Sequence, residues 1–206
     1  MKILSLNARC WYRDTDKHKP GYWKHRAERI RQLIDTEDPD IILFQEMLYP
    51  MTRCIPKRYK KACKGSISHH IYIRKAYKVL RHDWHIRYCH ALIDTGTEGV
   101  NAFSIHTHWE EKIYRKTCTQ ITSELQACAL TVAGGDWNNA PDTLRHLLFP
   151  LYLRTTGINT FRNWESGKEA ELDYFAVWPD RNVKAVCHDQ LFAISDHCPI
   201  ILTDNK

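Results

Sequence analysis

Asp136 and Asn138 lie two residues apart in "VAGGDWNNAP" (Val132–Pro141), where an apolar run ends. A plain turn needs glycine and asparagine, but it does not need a carboxylate with an amide two residues on. Other apolar runs end in the same way. Asn7 follows "ILSL" and Glu46 follows "IILFQ". His106 and His108 alternate near the end of "FSIHTH", Asp173 opens "DYFAV", and Asp196 and His197 precede "CPIIL". Brought together, these carboxylates, amides and imidazoles suit a hard divalent cation, which prefers carboxylate, amide-carbonyl and water oxygens. Glu46 with Asp196 or Asn7 is a candidate Mg²⁺ set, and Mn²⁺ is the alternative ion. Attack on a phosphodiester also needs an oriented water and donors on the non-bridging oxygens. Asp136 is suited to deprotonate that water. Asn138 and Asn7 are suited to contact the phosphate or to align Asp136. His197 is suited to donate to a phosphate oxygen if a carboxylate such as Asp173 holds its charge or tautomer.

Such residues act together only if strand ends converge, so the elements decide the matter. "KILSLN" suits a buried strand. Trp23, Ala27, Ile30 and Ile34 form one apolar helix face, closed by Pro39. "DIILFQE" reads as a strand covered on both faces. "HHIYIRKAYKVL" and "WHIRYCHALI" read as a hairpin, and "VNAFSIHTHW" as another strand. Cys118, Ile121, Leu125 and Cys128 mark a helix, and "TVAGGD" is a strand. Pro141 opens a helix through Leu148, and "ELDYFAV" and "PIILT" are late strands. Strands outnumber helices without strict βαβ alternation. The pattern predicts a sandwich of sheets with outer helices, not a Rossmann sheet. Tyr174 and Phe175 are expected in the core, and His69 and His70 in solvent. His106 is open between lining the site and lying on the surface.

The 206 residues fit one domain, 1–206, whose core needs no disulfide or metal staple. Thirty Lys and Arg against 24 Asp and Glu give a net charge of +6, which favours anionic partners. No apolar run approaches the roughly 20 residues that span a bilayer, and no signal-type apolar stretch follows Met1. The expectation is a protein that is not secreted or membrane-bound but cytoplasmic, or intracellular in a host cell. Cys10, Cys54, Cys63, Cys89, Cys118, Cys128, Cys187 and Cys198 form no C-x-x-C pair. They are expected to be reduced thiols, several of them in the core.

The segments "SLNAR", "ILFQEM", "IHTHW", "GGDWNNAP", "ELDYFAV" and "ISDHCPI" together resemble the deoxyribonuclease I-like endonuclease/exonuclease/phosphatase family. The resemblance runs from Lys2 to about Leu202. It implies a four-layer α/β sandwich, two mixed β-sheets packed face to face with outer helices. It further implies that Asn7 contacts the site, that Glu46 binds Mg²⁺, and that His108 holds or activates the phosphate. Asp136 and Asn138 would handle the attacking water, Asp173 would orient catalytic His197, and Asp196 would lie near the metal. The glycines before Asp136 would let backbone and phosphate approach closely. The chain departs from the family at three positions. Trp137 stands where Phe or Leu is commoner, which reads as a core or supporting position. His106 replaces a frequent Asn. Met47 stands where abasic-site endonucleases carry a small residue followed by Lys.

The run "KRYKKACK", Lys57 to Lys64, reads either as a solvated loop or as a phosphate-tracking ridge extended by Arg74, Lys75, Lys78 and Arg81. On the second reading Lys57, Arg58, Lys60, Lys61 and Arg74 bind substrate. Tyr59, Tyr72 and Tyr77 either stack on bases or pack, while Arg115 and Lys116 flank the site. The leading expectation is a Mg²⁺-dependent phosphodiester hydrolase acting on DNA, an endonuclease and a monomer. The alternative is a phosphatase or repair-type phosphodiesterase acting on DNA ends, RNA or a small phosphoester. A non-catalytic nucleic-acid-binding relic would have lost a Glu, Asp or His of the set, and none is lost here.

Overall fold

The runs at Lys2–Asn7 (β1) and Ile41–Gln45 (β2) pair in parallel, with Ile3 opposite Ile41 and Asn7 opposite Gln45. A parallel pair needs a crossover, and helix α1 (Trp23–Glu37) lies between them in the chain. The computed structural model describes residues 1–9, 23–47, 49–63, 68–125, 129–163, 165–187, 192 and 194–204. The first sheet adds β3 (Tyr59–Lys61), β4 (His70–Arg74), β13 (Val183–Cys187) and β14 (Ile200–Asp204). Its order is β13-β14-β1-β2-β4-β3.

The second sheet repeats the device. β7 (Gly99–His106) and β8 (Ala129–Asp136) are parallel, and α2 (Glu111–Ser123) lies between them in the chain. Around them pair β5 (Lys78–Trp84), β6 (Tyr88–Asp94), β9 (Tyr152–Arg154) and β12 (Asp173–Trp178), in the order β5-β6-β7-β8-β12-β9. A small ribbon of β10 (Phe161–Arg162) and β11 (Glu169–Ala170) stands apart.

Strand alternation sorts the side chains into layers. Ile41 and Leu43 of β2 point between the sheets, where they meet Val132 and Phe175. Ile42 and Phe44 point outward against Ala27, Ile30 and Ile34 of α1. On the far side Tyr114, Cys118 and Ile121 of α2 cover Phe103, Ile105 and Ala133. The result is the four-layer sandwich that the resemblance implies, two mixed sheets face to face with a helix outside each. All eight residues of β8 are buried, as a strand covered on both faces requires. Among the described cysteines, Cys54, Cys63, Cys89, Cys118 and Cys198 are buried and in no disulfide. Cys10, Cys128 and Lys64 lie outside the described residues. Among the described residues, no helix is long and apolar enough to cross a membrane.

Four segments differ from their sequence reading; the helix read through Leu125 ends at Ser123. "HHIYIRKAYKVL" is not one strand. It turns where Tyr77 N–H donates to the Arg74 carbonyl (3.1 Å), so β4 joins one sheet and β5 the other. Apolar alternation continues across that turn, so the pattern does not reveal the change of sheet. The helix from Pro141 (α3, Pro141–Leu144) is regular only to Leu144. Beyond it the Leu147 and Leu148 amides both donate to the Leu144 carbonyl (2.9 and 3.0 Å), which turns the chain and buries Leu148. His69 and His70 are buried, not in solvent, each 4% exposed beneath the ends of β2 and β7.

Candidate active site

The parallel pairs put several chain ends on one edge of the sandwich. β1 ends in Asn7, β2 runs into Glu46, β7 ends in His106 and β8 ends in Asp136. Asp136 is in register with His106 on one side and with Asp173, the first residue of β12, on the other. Beneath this edge Gln45 Nε2 donates to Ser5 Oγ (3.3 Å) in its own sheet and to Ser104 Oγ (3.0 Å) in the other. That buried bridge sets the spacing between the sheets, and so between Glu46 and Asp136.

Asp136 is 2% exposed, and its two oxygens have different surroundings. Oδ1 accepts the Asn138 backbone N–H (2.9 Å). This Asx turn places Asn138 at φ +50°, a conformation that asparagine tolerates better than most residues. Oδ2 accepts Asn7 Nδ2–H (2.9 Å) and faces His197 Nε2 at 3.6 Å and His106 Nε2 at 3.7 Å. The Asn7 amide also donates to Glu46 Oε1 (3.1 Å), and His106 Nε2 lies 3.4 Å from that same oxygen. Glu46 itself sits at φ +50°. Holding a non-glycine residue there costs on the order of 1–3 kcal/mol, which the surrounding packing must offset.

His197 Nδ1 is paired with Asp173 Oδ2 at 2.8 Å. Burial opposes a charged imidazole, but Asp173 and then Asp136 outweigh it and push the His197 pKa up to about 10. Thr160, fully buried, supports both partners. Its Oγ1 accepts the Asp173 N–H (2.8 Å), and its carbonyl accepts the Cys198 N–H (2.6 Å). Phe161 bridges to His197, and their ring centroids are 4.9 Å apart. Asp196 Oδ2 pairs with Arg9 Nη1 (2.7 Å), and Ser195 Oγ donates to Asp196 Oδ1 (3.2 Å). Burial raises the Asp196 pKa against the opposing pull of His197 and Arg9.

The residues open onto a cleft of ≈ 420 Å³ whose walls include Arg9, Arg87, His108, Trp109 and Phe161. His108 stacks on Trp109 (3.9 Å) and accepts the Glu110 N–H at Nδ1 (3.1 Å), so it lies on the rim. The profile of the Endonuclease/Exonuclease/phosphatase family matches residues 6–197. The chain belongs to that family. It is a metal-dependent phosphoesterase. No curated protein sequence matches it.

Solved structures agree in fold at low identity. Humanized D. rerio TDP2 carrying 14 mutations is 15% identical, with TM-score 0.74, covering 100% of this chain and 99% of that one. Mannosyl-6-phosphatase Bt3783 of Bacteroides thetaiotaomicron VPI-5482 is 17% identical, with TM-score 0.80 over 98% of both chains. A family member from Bacteroides vulgatus is 19% identical, with TM-score 0.78 over 99% and 98%.

The donors present suit a divalent cation. Ligand atoms of Glu46, His106 and Asp136 lie within 4.8 Å of one another, and two of the three are hard carboxylate oxygens. Of the set read from sequence, Glu46 is in this cluster. Asn7 presents its side-chain Nδ2–H to the carboxylates while its Oδ1 accepts the Arg9 backbone N–H (2.9 Å), and Asp196 is turned to Arg9.

The basic segment is not brought to the site. Arg58 pairs with Asp35 and Asp38, and Arg74 with Asp38 and Asp40, at the opposite end of β2. That is roughly 20 Å along the strand from Glu46. Lys60 donates to the Lys75 carbonyl there (3.0 Å), and Lys57 and Lys61 flank it on the same segment. Tyr59 and Tyr72 are buried, and Tyr77 donates to Asp40 (2.9 Å), so all three pack. Arg115 pairs with Glu111 on the exposed face of α2 (2.7 Å).

The glycines act differently from the expectation. A Cβ at Gly134 would meet the Phe175 ring at 2.5 Å, and one at Gly135 (φ +147°) would meet the Ile105 carbonyl at 2.1 Å. They admit the protein's own packing, not a phosphate. Trp137 is core, donating through Nε1 to the Tyr174 carbonyl (2.9 Å). Sequence reasoning missed Arg9, Arg87, Trp109, Thr160 and Phe161. Arg9 stands two residues beyond Asn7 and Trp109 one beyond His108, both in quoted motifs, and both were findable; nothing local marks the other three.

Proposed function

We propose that the chain, as one catalytic unit over residues 1–206 and a monomer, is a Mg²⁺- or Mn²⁺-dependent phosphodiesterase that cuts DNA. The observation that carries this reading is the surroundings of Asp136 Oδ2, an anionic oxygen held by Asn7 and facing a protonated histidine across 3.6 Å. A water bound against Oδ2 on the cleft side gives its proton to Asp136 as its oxygen attacks phosphorus, the P–O bond to the leaving oxygen breaks, and that oxygen takes a proton from solvent. Asn138 fixes the carboxylate plane through Oδ1. His197, kept charged by Asp173, donates Nε2–H to a non-bridging oxygen as negative charge builds there. Glu46, with Asp136 alongside, would hold the cation, which when bound neutralises phosphate charge.

A path for the flanking strand supports DNA. Arg87 lines both the active cleft and a neighbouring one of ≈ 530 Å³, walled by His85, Ile86, Lys112 and Lys116. Among the described residues, the side chains of Arg87, Lys112 and Lys116 make no ion pair or hydrogen bond, whereas Arg58, Arg74 and Arg115 are paired. Unpaired cations beside a phosphoesterase site suit backbone phosphates, and Trp109, 73% exposed at the rim, suits stacking on a base.

A second reading, hydrolysis at a DNA end, of RNA or of a small phosphoester, is favoured by one observation. Arg58 and Arg74 of the predicted basic ridge are ion-paired at the far end of β2, so the cationic footprint near the site is short. The test is a panel of supercoiled plasmid, end-blocked oligonucleotide, 5′- and 3′-phosphorylated ends, poly(A) and sugar phosphates, each with metal and with EDTA. Metal-dependent nicking of plasmid is expected. Turnover confined to ends, RNA or sugar phosphates moves the assignment to the second reading.

A further inference from the structure

His106 ends β7 at the edge of the site, and its placement gives it a use. β7 and β8 are parallel with His106 and Asp136 in register, so imidazole and carboxylate leave neighbouring strands side by side. Nε2 lies 3.4 Å from Glu46 Oε1 and 3.7 Å from Asp136 Oδ2. Asn7 Nδ2 reaches these same two oxygens, at 3.1 and 2.9 Å. The amide therefore occupies part of each oxygen's acceptor capacity, and His106 Nε2 converges on the same pair. Packing against His69 (ring centroids 5.9 Å apart) holds the imidazole in that orientation.

We propose that His106 is a nitrogen ligand of the cation that Glu46 holds beside Asp136, and that it turns an oxygen site for Mg²⁺ into a mixed site that prefers Mn²⁺ and later first-row ions. The proposal rests on the metal-dependent reading above. Two ligands each about 2.1 Å from one ion lie about 3.0 Å apart at a right angle and about 3.4 Å apart at a tetrahedral angle. His106 Nε2 and Glu46 Oε1, 3.4 Å apart, already match the tetrahedral figure, and Asp136 Oδ2 lies within 4.8 Å of both. Imidazole adds affinity for transition ions, whereas Mg²⁺ favours oxygen and dehydrates reluctantly. An Asn at 106 would offer only an amide oxygen. The competing account makes His106 a cation that pairs with Glu46 and Asp136 and excludes metal. The two accounts predict opposite signs.

The test is metal binding by calorimetry on the full chain, titrated separately with MnCl₂ and MgCl₂, for wild type, His106→Asn, His106→Ala and Glu46→Gln. Wild type is expected to bind Mn²⁺ at least about ten-fold more tightly than Mg²⁺, and His106→Asn to lose about ten-fold in Mn²⁺ affinity with Mg²⁺ changed far less. Pulsed electron paramagnetic resonance of the Mn²⁺ form should show a directly coordinated ¹⁴N in wild type and none in either His106 variant. His106 is partly exposed, and circular dichroism checks that both variants fold. Mn²⁺ affinity that is unchanged or tighter in His106→Asn overturns the proposal, as does a wild-type spectrum without nitrogen coupling. Mn²⁺ binding that survives Glu46→Gln at full strength places the ion elsewhere and also overturns it. Wild type that binds neither ion sinks the metal-dependent reading itself.

Discussion

His197 meets Asp173 through Nδ1 at 2.8 Å and so turns its other nitrogen toward the cleft. The pairing predicts a pH dependence. Burial disfavours the imidazolium, and Asp173 and Asp136 outweigh it, so the folded pKa is about 10 against an ordinary value near 6.5. A raised folded value means stability that is fully present below about pH 6.5 and is lost as pH rises through about 10. In Asp173→Asn the His197 pKa should fall, and hydrolysis at pH 8 should drop by about 10²-fold. Histidine ¹⁵N shifts measured across pH on the metal-free protein check the first, and initial rates the second. A His197 resonance that titrates alike in both proteins would remove Asp173 from this role.

Asp136→Asn keeps the shape of the side chain and removes the proton acceptor. The Asn138 N–H can still donate to the amide oxygen, so the fold should persist. Cleavage should fall by roughly 10²-fold or more. Circular dichroism and single-turnover rates test this together. A variant with wild-type rate excludes Asp136 as the base.

The two groups of cations should behave oppositely. Lys112→Ala with Lys116→Ala, or Arg87→Ala, should raise KM for DNA and flatten the slope of log affinity against log salt by about 0.9 per lost phosphate contact. Arg58→Ala should leave that slope unchanged and cost at most about 1 kcal/mol of stability, since its ion pairs with Asp35 and Asp38 are largely exposed. Binding isotherms at several salt concentrations decide it. An equal effect from Arg58→Ala would restore the ridge as substrate-binding.

Gly135→Ala should be destabilised by at least about 2 kcal/mol, because it combines unfavourable φ with a Cβ 2.1 Å from the Ile105 carbonyl. Urea denaturation measures the loss. Because Gly135 precedes Asp136, activity in the folded fraction should fall as well. A variant as stable as wild type would mean that the backbone there relaxes freely.

His69 gives the acid side of the stability curve. Its pKa is pushed down to about 3, first by burial and then by the charges of His106, His70 and Arg87. A lowered folded value means stability that is present above about pH 6.5 and lost as pH falls through about 3. His69→Gln should flatten that limb in thermal melts taken between pH 4 and 7. An unchanged limb would assign it to other groups.

Much of this was legible in the chain. A polar residue that ends an apolar run must leave the core where the strand leaves it. Asn7, Glu46, Asp136, Asp173 and His197 could therefore be picked out one by one, together with the two-sheet sandwich that their strands build. Their order and chemical types came from sequence alone. The partners of each charge did not. Arg58 and Arg74 read as free cations until folding set them against Asp35, Asp38 and Asp40, and Arg87 read as nothing until a turn between β5 and β6 carried it to the cleft. The glycines were misread, and His106 was left open, for the same reason. Periodicity reports which face of an element is buried, because that depends on neighbours three or four residues away. What a side chain finally touches depends on segments that meet only when the two sheets close on each other, and the tertiary structure alone decided that.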